Sequence, residues 1–357
     1  MAPVPLFARS LEPYRARLVE RMEAVVDSGR FILGPEVEAF EQELARYLGV
    51  PHVVGVANGT DALTIAVRAL GVRPGDEVVL PSFTFYATAE AVAGAGARPV
   101  FCDVDPHTFC VTAETVKAVL TSRTKAIVPV HLFGNVAPVP ELRELGPPVL
   151  EDAAQAAGAA LGGVKAGALA DAATFSFFPS KNLPCLGDGG AIATATGEVA
   201  ERARVLRFHG SKDKSTFTEV GYNSRLDEIQ AAALRVLLPE LDGWNAARRR
   251  AADAYEREGL GEHVALPRPV DGAEHAFHLY VVRHDRPEEL RAALEREGVA
   301  ARGYYRVPVH RQPAMASELD LPGTDEAART NLALPMGPEL SEEQVSQVVA
   351  ACASGST

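Results

Sequence analysis

Cysteine is scarce in this chain. Its 357 residues hold four, Cys102, Cys110, Cys185 and Cys352. None stands in a C-x-x-C pair, which argues against zinc and dithiol redox chemistry. Reduced, mostly buried thiols are expected, and no metal site. An excess of basic residues is lacking too. The 35 Lys and Arg are outnumbered by 47 Asp and Glu, for a formal net charge of −12. Such a chain is a poor general partner for nucleic acid. An anionic ligand would need a local cationic site. No apolar run is long enough to span a membrane. The opening Met-Ala-Pro-Val-Pro-Leu-Phe-Ala-Arg lacks the basic-then-apolar order of a signal peptide, so a cytoplasmic protein is expected. There is no internal repeat and no low-complexity segment.

What is present is an ordinary globular composition, 47% hydrophobic and 23% charged. The length fits two domains, or a large domain with an appendage. Leu11, Tyr14, Leu18, Met22 and Val25 repeat at helical spacing, as do Val37, Phe40, Leu44 and Tyr47. Pro35 suits a first helical position and Gly49 a C-terminal stop. Short apolar runs at 53–56, 78–80, 100–102, 126–130, 149–150, 174–177 and 191–193 predict buried strands, several separated by helices. This pattern argues for an α/β domain with a mostly parallel sheet covered on both faces. Ligands of such sheets sit at the carboxyl ends of the strands. Asn58, Asp103, His131, Asp152 and Phe178 fall at or just past those ends.

Beyond about residue 240 the texture changes. A helical stretch over 226–256 carries an Arg248-Arg249-Arg250 run, read as a solvated helix face. Strands are expected at 277–282 and 299–305, with a helix over 287–297 between them. Ser341 and Gln344 form a capping-box pattern opening a last helix. The expected division is a large α/β domain over 1–242, with an N-terminal helical segment, and a smaller α+β domain over 243–357.

One lysine stands out by its setting. Lys181 lies in Ser176-Phe-Phe-Pro-Ser-Lys-Asn182, followed by Gly187-Asp-Gly-Gly190, with Val149-Leu-Glu-Asp-Ala-Ala-Gln155 upstream. Pyridoxal phosphate chemistry needs a lysine for the aldehyde and a carboxylate that keeps the pyridine nitrogen protonated. It also needs N–H groups at a helix start for the phosphate and a flat side chain on the ring. Lys181, Asp152, Asn58-Gly59-Thr60-Asp61 and Phe85 meet those needs in turn. Gln155, one helical turn after Asp152, would share its face. Singly, each has a plain structural explanation: a loop lysine, a helix cap, a core aromatic. Their joint order is what makes the pattern specific.

The chain resembles the DegT/DnrJ/EryC1/StrS family of sugar aminotransferases, of the fold-type I (aspartate aminotransferase-like) class. The likeness covers nearly the whole chain. It rests on Gly34-Pro-Glu-Val-Glu-Ala-Phe-Glu41, Ala57-Asn-Gly-Thr-Asp-Ala-Leu63, Pro74-Gly-Asp-Glu-Val78, Pro129-Val-His-Leu-Phe-Gly134 and the Asp152 and Lys181 motifs. Gly221-Tyr-Asn-Ser-Arg-Leu-Asp-Glu-Ile-Gln-Ala-Ala232 and Pro308-Val-His-Arg-Gln312 extend it. The resemblance implies that Lys181 is the Schiff-base lysine and Asp152 the pyridinium partner. It implies Gln155 beside the phenolate oxygen, Phe85 on the ring, and Gly59, Thr60 and Ser176 at the phosphate. It further implies a homodimer with shared active sites, in which Asn223 or Arg225 reaches the partner's phosphate, and it sets His310 and Gln312 near the substrate cleft.

The activity so implied is ping-pong transfer of an amino group from L-glutamate to a nucleotide-linked keto-6-deoxy sugar. Pyridoxamine phosphate would be the alternate cofactor form. Dehydratase relatives carry His at the lysine position, so Lys181 argues against that branch. An aminocyclitol or amino-shikimate-type aminotransferase remains open, as does a non-catalytic regulator or sensor on the same fold. Three segments depart from the usual pattern and bear on the sugar side: Pro184-Cys185, Ala137-Pro-Val-Pro140 and Tyr304-Tyr305-Arg306.

Overall fold

The structure, a computed structural model, describes residues 3–355. Short runs of Val, Ile, Leu and Ala form its central strands: β1 His52–Val56, β2 Glu77–Pro81, β3 Arg98–Cys102, β4 Thr124–Ile127, β5 Leu150–Asp152, β6 Ala172–Ser176 and β7 Gly190–Thr194. Two sheets, in the orders β1-β7-β6-β5 and β3-β2-β4, meet through parallel bridges Ile127–Val149 and Val130–Asp152. The surface is mostly parallel, as expected. The exception is β7, which runs antiparallel to both β1 and β6.

Alternation along each strand feeds two cores. Val53, Val79, Phe175 and Ala191 face one; Val54, Val78, Leu80 and Ile192 face the other. That is why the strands read as continuous apolar runs: both faces are covered. Helix α1 (Arg15–Ser28) and helix α2 (Pro35–Leu48) contribute Leu18, Phe40 and Leu44 to the first core. Pro35 opens α2 and Gly49 closes it with φ 78°, a left-handed stop that glycine adopts without strain. Helix α3 (Gly59–Ala69) and helix α4 (Ala87–Gly94) supply Ile65, Val67 and Val92 to the second core.

The C-terminal part builds a third core from Tyr255, Leu260, Tyr280, Val282, Leu290, Leu332 and Val348, joined by Val4 from the N-terminus. The helix Leu241–Arg257 belongs to two cores: Leu241 and Trp244 pack into the first, Ala251 and Tyr255 into the third. The expected capping box is present, with Ser341 and Gln344 bonding each other's backbone N–H. All four cysteines are buried, and none is joined in a disulfide.

Four local expectations are corrected. The helical stretch 226–256 is two helices, Glu228–Leu237 and Leu241–Arg257, parted by a 3-10 turn at Leu238–Glu240; Pro239 offers no N–H to continue the ladder. The strand expected at 277–282 begins only at Tyr280, because Phe277 has φ 42°. Residues 299–305 form no strand beyond single pairings of Val299 with Val4 and Arg302 with Ala333. There the Tyr304 N–H bonds the Asn331 side chain and Tyr305 turns left-handed at φ 53°. Arg248 is not on a solvated face: it is buried, donates to the Phe277 carbonyl at 3.1 Å, and burial lowers its guanidinium to about 9.

Candidate active site

The carboxyl ends of β1, β2, β5 and β6 border a cavity of about 600 Å³. Ligands of doubly wound sheets collect at such ends. Asn58 to Asp61, Thr84, Phe85, Thr88, Asp152, Gln155, Ser176 and Lys181 line it. Of the five strand-end residues singled out, Asn58, Asp152 and Phe178 reach it, and two do not. Asp103 instead accepts the Gly323 and Thr324 N–H groups. His131 pairs with the buried Glu151 at 2.8 Å. Glu151 also takes the N–H groups of Gly167, Leu169 and Ala170, so it anchors a turn beneath the sheet.

Asp152 ends β5 and is buried. Burial pushes its carboxyl up; the Thr88 hydroxyl (2.8 Å), the Ala154 N–H (3.2 Å) and the Lys181 charge pull it back. Such donors favour the ionised form. Lys181 stands on the irregular segment after β6. Burial lowers its amine to about 8, against the opposing pull of Asp152. Burial therefore makes the neutral amine easier to reach than in an exposed lysine.

The next residue, Asn182, ties this segment down. Its Nδ2 donates to Asn245 Oδ1 (2.8 Å) and to the Ala276 carbonyl (2.9 Å), leaving Oδ1 for His278 Nδ1 at 3.2 Å. His278 lines the cavity, and burial together with the Lys181, Arg248 and Arg9 charges holds it well below the usual imidazole range.

Helix α3 points its N-terminus at the cavity. Asn58 caps it, its side chain accepting the Asp61 N–H at 2.8 Å. The N–H groups of Gly59 and Thr60, in the first turn, have no acceptor within the helix. Gly59 is needed for space: a Cβ there would lie 2.8 Å from Ser176 Cβ. The cap, the glycine and the serine hydroxyl thus converge as an anion cradle.

Gln155 is fixed at both ends. Its Oε1 accepts the Phe133 N–H at 2.7 Å and its Nε2 donates to the Tyr305 hydroxyl at 3.1 Å. The Tyr305 ring stacks parallel on Phe133 at 6.0 Å. Phe85 is largely exposed, its ring 6.4 Å from Tyr305, free to cover a planar group.

The remaining expected residues lie elsewhere. His310 is fully buried, its Nδ1 2.5 Å from Ser82 Oγ, and it does not line the cavity. Gln312 donates to the Val307 carbonyl and lies outside it too. Asn223 is exposed and Arg225 half-buried, both away from the cavity of their own chain. Thr88 and His278 are cavity residues to which the sequence reading gave no role, and Tyr305 lies in a segment it noted only as bearing on the sugar side. Thr88 falls one helical turn after Phe85, a spacing that was visible; no signal marked His278.

The model of the DegT/DnrJ/EryC1/StrS aminotransferase family matches residues 14–353. The chain is 46% identical over 358 residues to the "pleiotropic regulatory protein" of Geobacillus stearothermophilus, covering 97% of this chain and 96% of that one. It is 45% identical over 350 residues to the dTDP-3-amino-3,4,6-trideoxy-alpha-D-glucose transaminase of Streptomyces venezuelae, covering 95% and 92%. The crystal structure of S. venezuelae DesV in complex with ketimine intermediate has a similar fold, with a TM-score of 0.95, 43% identity and 98% of each chain covered. With such matches along nearly its whole length, and with the motif's lysine, acid and amide gathered on one cavity, the chain belongs to the DegT/DnrJ/EryC1/StrS aminotransferase family.

Proposed function

We propose that this aminotransferase binds pyridoxal phosphate and moves an amino group from L-glutamate to a keto-sugar nucleotide of the 6-deoxyhexose class. The observation that carries the reading is one cavity lined by Lys181, buried Asp152, Gln155 and the open N-terminus of α3. The residues fit the cofactor. Gly59 leaves the space a phosphate needs beside Ser176, and Asp152 is a buried acceptor for a ring N–H. When bound, the cofactor supplies an electron-accepting ring that stabilises negative charge on a carbon losing its proton.

The protein's own residues do the rest. Asp152 holds a proton at the ring nitrogen. Gly59, Thr60 and Ser176 bind the phosphate, and Phe85 covers the ring. Lys181 would bind the aldehyde; once freed, its neutral amine would take the proton from the donor's α-carbon and deliver it to the cofactor carbon that had carried the aldehyde. Donor and acceptor use the same site in turn, which gives ping-pong kinetics.

The keto-sugar acceptor is argued from the S. venezuelae relative, a dTDP-sugar transaminase. The active form is taken as a cytoplasmic homodimer, with Asn223 or Arg225 reaching the partner's phosphate site; neither side chain serves the cavity of its own chain. His310 and Gln312 are given no direct substrate contact, since both lie outside the cavity. A second reading, a regulator that binds cofactor without turnover, finds support in the Geobacillus relative, a pleiotropic regulatory protein.

Purified protein with added pyridoxal phosphate should absorb near the visible edge, and Lys181→Ala should lose that band. L-Glutamate should then yield 2-oxoglutarate, one equivalent per site without an acceptor and continuous turnover with a suitable keto-sugar nucleotide. Failure to bind the cofactor would overturn the enzyme reading; binding with no reaction toward any amino donor would support the regulator. Mixed Lys181→Ala and Arg225→Ala chains should regain activity if sites are shared.

A further inference from the structure

We propose that Arg9 is a positioning residue for Lys181, clamping the segment that carries it from a strap at the N-terminus of the chain. The inference rests on Lys181 being the cofactor lysine.

Lys181 has neither helix nor strand to hold it. Its stem is long and flexible, so where the amine stands depends on where its backbone is fixed. Within the segment only short turns act: Lys181 N–H to the Phe178 carbonyl at 2.8 Å and Cys185 N–H to the Phe177 carbonyl at 2.7 Å. From outside, the Asn182 side chain is held by Asn245 and Ala276, and Arg9 adds a grip on the backbone at Lys181 itself. One terminal nitrogen donates to the Lys181 carbonyl at 2.6 Å and the other to the Pro179 carbonyl. The planar guanidinium therefore spans the two carbonyls that flank Ser180. Lysine, with a single point of charge, cannot reproduce that fork.

The strap is itself anchored, its backbone bonded to the C-terminal part. Val4 pairs with Gly298 and Ala300, Leu6 accepts the Met336 N–H, and Ala8 pairs with Met336 and Glu339. Val4 is buried in the third core. Arg9 also lies over the Trp244 ring at 5.9 Å. So a segment bonded to the C-terminal part grips the lysine that stands above the sheet. Arg9 thereby sets the Lys181 amine in register with Asp152 and ties it to the C-terminal part.

The test uses full-length Arg9→Ala and Arg9→Lys. In cofactor-free protein, Lys181 acetylation by acetic anhydride is followed against pH by peptide mass spectrometry. Loosening the clamp should wet the amine, raise its reactivity at high pH and move its midpoint upward. In the cofactor-loaded protein, the single-turnover reaction with L-glutamate should slow roughly 10–100-fold in Arg9→Ala, as misplacement by an ångström does. Millimolar ethylguanidinium should restore part of that rate, and Arg9→Lys should fall between.

Unchanged labelling and unchanged single-turnover rate in both variants, with only a lower Tm, would make Arg9 a plain structural tether and overturn the proposal. Should the wild type itself not react with glutamate, the functional reading fails, while the labelling still decides whether the strap positions Lys181.

Discussion

Thr88 donates its hydroxyl to Asp152 Oδ2 at 2.8 Å, so a helix packed against the second core holds the carboxylate that ends β5. The bond is to a charged group, worth about 1.5–3 kcal/mol. Thr88→Val keeps the shape and removes the donor. Asp152 should then be harder to ionise, and pyridoxal phosphate affinity should fall about tenfold or more. Thr88→Ser should retain it. Titration followed by absorbance measures this; equal affinity in Thr88→Val would show that the hydroxyl does nothing for the acid.

The Lys181 amine, lowered to about 8 by burial, should titrate there in the cofactor-free protein. Asp152 opposes that shift by favouring the ammonium. Asp152→Asn should therefore move the labelling midpoint further down. The stability sign follows. Between about 8 and the ordinary 10.5 the unfolded chain binds this proton and the folded chain does not. The lysine's contribution to stability thus rises with pH across that window.

Gly59→Ala puts a methyl group 2.8 Å from Ser176 Cβ, in the cradle itself. The helix start should survive, but pyridoxal phosphate and competing inorganic phosphate should both bind at least tenfold more weakly, the displaced chain losing about 1.4 kcal/mol of contact. Ser176→Gly in the same chain should relieve the crowding. An alanine variant that binds both anions normally would remove Gly59 from the phosphate site.

His275 is buried, and burial lowers its imidazole to about 3. Its Nδ1 accepts the Phe277 N–H at 2.8 Å, a bond that needs the neutral ring. Below the ordinary 6.5 the unfolded chain gains this proton and the folded chain does not. Stability should therefore fall as pH drops, by about 2 kcal/mol between pH 6.5 and 5 from this one group. Urea unfolding at both values, in wild type and His275→Gln, checks it; the variant should lose less on acidification.

Much of the fold was legible because both faces of the sheet are covered, so β1 to β7 stand out as short apolar runs. The cofactor motif was legible because its groups come in short stretches of chain. Asp152 and Gln155 are three residues apart, and Asn58, Gly59 and Thr60 are consecutive. Local spacing does not report burial against distant segments, however. The Arg248 run reads as a charged helix face, yet Arg248 is buried and bonded to Phe277. His310 lies in a recognisable motif, yet it is buried against Ser82, 228 residues away.

The sequence by itself determined the strand and helix texture, the identity of the lysine, acid and amide, and the family these spell out. Those depend on residue type and near spacing, which the chain carries locally. Only the tertiary structure decided how the groups are held: Thr88 on Asp152, Tyr305 on Gln155, Arg9 on the Lys181 carbonyl. These bonds join residues separated by 64, 150 and 172 positions. Distances of that kind close only when the sheet, its covering helices and the N-terminal strap pack together.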